Sequence, residues 1–162
     1  LKDSMALLTT GKSFIRSVEQ NGAVAIYAPL EGGFEGRYQR RLRASGYEMI
    51  TLSARGLGDL EAYLTGTHGV RPPHLGKKNI AQEGAVGLTY YVAPVATYPL
   101  EHLPTNAKGL VIWLLEGFIL SQTELEYLTN LPKQNSRIKV VIEMGGERYF
   151  RWQPLQDVIL AA

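Results

Sequence analysis

AVAIYAPLEGGFEGRYQRRLRASG, residues Ala23 to Gly46, decides the fold class. Ala23 to Ala28 carry no charge and include Val24, Ile26 and Tyr27, the composition of a buried strand. Pro29 ends the run because its ring removes a ladder donor. Gly32 and Gly33 provide a turn, a helix follows, and Gly46 stands where a left-handed residue closes a helix. A second β-like run, Glu48 to Ser53, comes next. Strand, glycine turn, helix and strand together predict a right-handed βαβ unit. At about 100° per residue, Phe34, Tyr38 and Leu42 share one stripe of the helix, while Arg37, Arg40, Arg41 and Arg43 fan out beside it. Those arginines fit either a solvated face or a partner-binding face. The planar guanidinium fork, suited to carboxylate or phosphate, favours the partner.

The 162 residues suffice for one domain with an ordinary core, and the net charge of +2 is too small to imply nucleic acid. There are no cysteines, so this chain holds no disulfide, thiolate nucleophile or thiolate-bound iron–sulfur cluster. His68, His74 and His102 are scattered and lack a zinc spacing. No stretch reads as a signal peptide. The most apolar run, Leu110 to Leu120, is interrupted by Glu116 and Gly117 and falls short of the ~20 residues that span a bilayer. Membrane association is therefore expected to be indirect.

Outward from the central stretch, Leu1 to Ser4 precede Met5 and are expected to be a non-native leader to a single domain over 5–162. Thr10 is placed to cap a helix ending at Asn21, with Phe14, Ile15 and Val18 inward and Gly22 closing it. Ala6 to Ser13 loosely match a nucleotide phosphate loop. Almost no chain precedes them to supply the required strand, so Gly11 to Ser13 are read as a helix start. Gly56-Leu57-Gly58 opens a dinucleotide fingerprint whose third glycine position is Glu61, and a structural turn is the better reading. Asp59 then caps a short helix from Leu60 to about Leu64.

Gly69 to Gly87 is irregular, with Pro72-Pro73 and the basic residues Arg71, His74, Lys77 and Lys78. It reads as a docking loop, or as an ordinary surface loop. Leu88 to Val92 is strand-like, and a connection bearing Tyr98 leads to Pro104. Tyr90, Tyr91 and Tyr98 are expected to pack. Leu110 to Leu115 fits a central parallel strand buried on both faces. Ser121 and Glu124 form a capping-box pattern for a helix reaching about Leu131, where Pro132 stops it. Ile138 to Ile142 is the next strand, with a turn at Gly145-Gly146. Arg148 to Trp152 returns as an edge strand, and a last helix follows Pro154. The sum is a single-domain α/β protein in three layers, its mostly parallel sheet covered by helices on both faces.

No nucleophile–base pair, paired carboxylates or metal-ligand set is assembled by spacing. Two readings remain open on the residues. One is a non-catalytic interaction subunit using Arg37, Arg40, Arg41, Arg43, Arg71, His74, Lys77 and Lys78. The other is a stand-alone binder or enzyme for a phosphorylated small molecule, using Gly32, Gly33 and the helix start behind them.

The runs MALLTTGKSFIRSVE from Met5, YAPLEGGFEGRYQRRLR from Tyr27, SARGLGD from Ser53, RPPHLGKKN from Arg71 and FRWQPL from Phe150 closely resemble the subunit N family of the NAD(P)H–plastoquinone oxidoreductase complex, in its cyanobacterial form. The resemblance covers nearly everything from Met5 to about Leu160. It implies a peripheral-arm subunit on the cytoplasmic side of the thylakoid membrane, without catalytic residues or a cofactor of its own. The parent complex serves respiration, cyclic electron flow and carbon concentration. Its iron–sulfur clusters and plastoquinone site would lie in other subunits, and the implied neighbours are subunit M and the quinone-site subunits of the connecting module.

Overall fold

The structure, a computed structural model, describes residues 2–29, 34–55, 64, 68–70, 90–92 and 95–161. Helix α1 (Lys2–Asn21) leads into strand β1 (Ala23–Ala28), helix α2 (Phe34–Ala44) and strand β2 (Tyr47–Ser53). Strands β3 (His68–Val70) and β4 (Tyr90–Val92) come next, then helix α3 (Thr97–Glu101) and strand β5 (Gly109–Leu115). A single 3-10 turn, Gly117–Ile119, separates β5 from helix α4 (Gln122–Gln134). Strands β6 (Ile138–Gly146) and β7 (Arg151–Pro154) and helix α5 (Leu155–Ala161) complete the order.

The main sheet has five strands in the order β2-β5-β6-β1-β7, parallel except for β7, which runs antiparallel along β1. β3 and β4 form a separate antiparallel pair. Side chains alternate between the faces of β5. Leu110, Ile112 and Leu114 enter one apolar cluster with Leu125, Leu128 and Leu131 of α4, Leu100 of α3 and Leu155 of α5. Val111 and Trp113 enter the other, with Phe14 and Val18 of α1 and Tyr38 and Leu42 of α2. A strand covered on both sides has no polar face, which is why Leu110 to Leu115 is a continuous apolar run. The three-layer α/β architecture is therefore the observed one.

The expected βαβ unit is present as β1-α2-β2, but its two strands are not neighbours; β5 and β6 lie between them. Tyr38 and Leu42 are buried as the helical stripe requires. α1 begins well before Thr10, so Thr10 is an interior helical residue and no cap. Gly11 to Ser13 likewise lie in mid-helix rather than at its start, with their amides committed to the helix and not to a phosphate. Gly22, at φ +79°, closes α1 by donating its amide to Val18 O at 2.8 Å.

Other boundaries shift as well. Gly69 and Val70, expected to be irregular, belong to β3, and Arg71 to Gly87 lie outside the described residues. The Asp59 cap and most of its helix are also outside them; Leu64 is helical and fully buried. The Tyr98 connection contains α3, and Tyr98 is half exposed, stacked on His102 at 4.0 Å instead of entering the core. α4 runs through Pro132 to Gln134, and Asn135 donates its amide to Leu131 O at 3.1 Å. Gly145 and Gly146 pair with Tyr27 and Ala28 as the last residues of β6.

Candidate functional site

Two places on the fold concentrate chemistry. The first is the outer surface of α1 and α2. Arg37, Arg40 and Arg43 are exposed, as the 100° count placed them. Arg41 is half buried and lies over Gly11 of α1; a Cβ on Gly11 would come within 2.5 Å of Arg41 Cδ and Nε. Three residues along each helix, Phe14 and Tyr38 meet edge to face with centroids 5.2 Å apart. α1 ends where β1 begins, and α2 runs from the end of β1 back to the start of β2, so the two helices lie side by side in the same direction on one face of the sheet, with the Arg41 side chain reaching back along α2 to Gly11, next to Lys12.

Lys12 and Arg16 are both exposed, and sequence reading missed them because they lie on a different helix. Their signal was the i, i+4 spacing of two cations on α1. Among the described residues, no carboxylate lies within ion-pair distance of Lys12, Arg16, Arg40, Arg41 or Arg43. Glu19, the acid on the exposed side of α1, is engaged elsewhere. It accepts the Tyr47 phenol at 2.8 Å and pairs with Lys108 at 3.5 Å. Burial raises the Tyr38 phenol above its ordinary value, and the charges of Arg41 and then Arg37 draw it part of the way back. Arg71, His74, Lys77 and Lys78, the other predicted docking residues, lie outside the described residues.

The second place is a cleft of about 560 Å³ at the carboxyl ends of β1, β2, β5 and β6. β1 leads to α2 on one face of the sheet and β5 leads to α4 on the other, so the cleft opens where the chain changes face. Open α/β sheets bind ligands at that point. Ile26, Leu115 and Phe118 give its wall apolar area, while Gln39, Glu116 and Glu143 give it polar atoms. No Lys or Arg is among the described lining residues.

Glu116 is the one non-glycine residue with positive φ among the described residues, at φ 58° and ψ 39°. Its side chain is fixed by Ser53 Oγ–H at 2.8 Å and by Arg55 Nε–H at 2.9 Å. These hydrogen bonds, Arg55's above all, hold its carboxyl below the usual carboxylate range. Gly117 lies so close to β6 that a Cβ there would collide with the Ile142 side chain and reach Glu143 O at 3.1 Å. The turn therefore points away from the sheet and leaves Phe118 62% exposed at the cleft rim. Glu143 accepts the Nε1–H of buried Trp113. Among the described residues, no group of three or more His, Asp or Glu could hold a metal ion, and no helix is long and apolar enough to cross a membrane.

Comparison with known proteins places nearly the whole chain in one family. The family model described as NADH-quinone oxidoreductase cyanobacterial subunit N matches residues 5–157. The chain is 69% identical over 158 residues to NAD(P)H-quinone oxidoreductase subunit N of Gloeothece citriformis, covering 98% of this chain and 100% of the relative. It is 70% identical over 158 residues to the protein of the same description from Rippkaea orientalis, with the same coverage. The Synechocystis relative is 65% identical over 158 residues, covering 98% of each chain.

Proposed function

The chain belongs to the cyanobacterial subunit N family of the NADH-quinone oxidoreductases, and from that premise we propose that it is a non-catalytic peripheral-arm subunit that supports assembly or stability of the complex. In this reading it sits on the cytoplasmic side of the thylakoid membrane and attaches to the membrane through other subunits. It contributes shape and positive charge to electron transfer toward plastoquinone in respiration, cyclic electron flow and carbon concentration. Iron–sulfur clusters and the quinone site are carried by its neighbours, with subunit M and the connecting-module subunits as its expected partners. The sequence has no cysteine to supply a cluster ligand.

The observation that carries the reading is the row Arg40, Arg41 and Arg43, unpaired by any described carboxylate in a chain whose formal charge is only +2. Clustered like charges repel, and a complementary surface relieves that repulsion while supplying bidentate acceptors. Arg37 and the segment Arg71 to Lys78 are included in the proposed docking surface. Reversal of Arg37, Arg40 and Arg41 to Glu should reduce incorporation into the complex while the isolated chain keeps its melting temperature. Normal assembly and activity in that variant would defeat the reading.

The cleft favours a second reading, a stand-alone binder or enzyme for a phosphorylated small molecule, by its position at the change of face. Its described walls oppose it: Glu116 and Glu143 are there, and an anion gains nothing from carboxylates. Titration of the purified chain with nucleotides and sugar phosphates decides, since saturable binding would favour the cleft and none would leave the subunit reading alone.

A further inference from the structure

We infer that the docking surface is a single face built by α1 and α2 together, with Lys12 and Arg16 as its second half, Arg41 seated in a notch at Gly11, and a carboxylate-bearing protein surface of a partner subunit as its occupant. The inference rests on the subunit reading and names what that surface is made of and what it takes.

Three observations carry it. Gly11 lies inside a helix of 20 residues, where glycine is the costliest ordinary choice apart from proline. The missing Cβ is the space that the Arg41 side chain fills. Arg41 is thus held down across the helix junction, and its charge is fixed in place before any partner arrives. Lys12 follows Gly11 in the chain, and Arg16 lies one turn further along the same exposed stripe. α1 and α2 therefore present five cations, Lys12, Arg16, Arg40, Arg41 and Arg43, none of them ion-paired to a described carboxylate. Each of these choices costs the isolated chain stability, one through helix propensity and the other through repulsion, and both produce the same pre-ordered cationic face.

The nature of the occupant follows from the scale of the charge. A net +2 gives weak long-range attraction to a uniformly anionic sheet or a polyanion. Short-range pairing of planar guanidinium groups with placed carboxylates does not depend on net charge. An irregular acidic protein surface fits that pattern better than lipid or nucleic acid.

The test uses the tagged chain expressed in a cyanobacterial host lacking its own copy, with retention in the purified complex followed against rising salt. Lys12→Glu/Arg16→Glu should lower the salt concentration for half release at least twofold, with helical circular dichroism unchanged. Gly11→Ala should lower retention in the same direction because Arg41 must swing out, and its melting temperature gives the fold control. Retention of both variants at the wild-type level, alongside loss of the Arg37/Arg40/Arg41 reversal, would overturn the two-helix face and leave docking through α2 standing. Retention of all three would overturn the subunit-docking reading itself. Release of the wild-type chain from the complex by phosphatidylglycerol vesicles, at concentrations where neutral vesicles release none, would overturn the protein occupant in favour of lipid.

Discussion

Arg55 reaches across from the end of β2 to Glu116 beyond the end of β5, placing Nε 2.9 Å from one carboxylate oxygen although 61 residues separate them in the chain. The contact pins Glu116 in the left-handed conformation, which costs an ordinary residue about 1 kcal/mol or more. It also sets a pH dependence. The folded-state carboxyl titrates below its ordinary value, so the native state binds fewer protons than the unfolded chain across that interval. The stabilisation is complete above the unfolded glutamate value and is lost as pH falls through the folded one. Urea midpoints taken from neutral pH downward should therefore fall more steeply for the wild type than for Glu116→Gln. Because the pair is solvent-exposed, the difference should shrink in high salt. Parallel pH profiles would show that Arg55 does not act on Glu116 in solution.

Gly117, buried although it lies in a turn, should tolerate substitution poorly. A Cβ would strike Ile142 and press on Glu143 O, and Ile142 is fully buried on β6 in the cluster it shares with α4. Neither neighbour is the free end of a flexible side chain. Gly117→Ala is expected to destabilise by about 1–3 kcal/mol, the usual cost of overpacking a filled core. Chemical denaturation with the m-value held fixed would read it, and a loss below ~0.5 kcal/mol would mean that the turn lifts off β6 at little cost.

What the sequence disclosed and what it withheld differ in a physical way. Leu110 to Leu114 and the Tyr38–Leu42 stripe were legible because one-dimensional periodicity reports how many sides of an element are covered. The separation of β1 from β2 was not, since it depends on β5 and β6 inserting between them long after the βαβ unit is complete. The sequence predicts that Pro132 stops its helix, yet Pro99 and Pro132 both lie inside helices. Pro99 is in the first turn of α3, where its missing N–H has no helical partner, and Pro132 is in the last turn of α4, with two residues to follow. At the candidate sites, the arginine fan was visible within one helix. Its continuation to Lys12 and Arg16 required the packing of α1 beside α2, and the cleft required four strand ends to meet.

The start of α4 offers a contained check on local reasoning. Ser121 Oγ accepts the Glu124 amide at 3.2 Å, and the Glu124 carboxylate accepts the Ser121 amide at 2.9 Å. α4 in turn brings Leu125, Leu128 and Leu131 to the core, so fraying its first turn loosens Leu125 first. Ser121→Ala should cost about 1 kcal/mol and Ser121→Asp a few tenths at most. Equal melting temperatures for all three proteins would show that the packing of α4 on β6 holds the turn without its cap.

Trp113 separates folding from docking. It is fully buried at the centre of β5, paired in register with Thr51 of β2 and Val141 of β6, and it donates its indole N–H to Glu143. Trp113→Ala removes the largest buried side chain and that donor together. The expected loss is about 3–5 kcal/mol, or roughly 10 °C in melting temperature for a domain of this size. Reversal of Arg40 and Arg43 touches neither cluster and should leave the melting temperature within about 2 °C. Opposite failures are therefore expected: the tryptophan variant is lost from cells before it can assemble, while the arginine variant accumulates folded and unincorporated. Incorporation failing for both in proportion to melting temperature alone would mean that the cationic face acts only through fold stability, and the docking argument would fall with it.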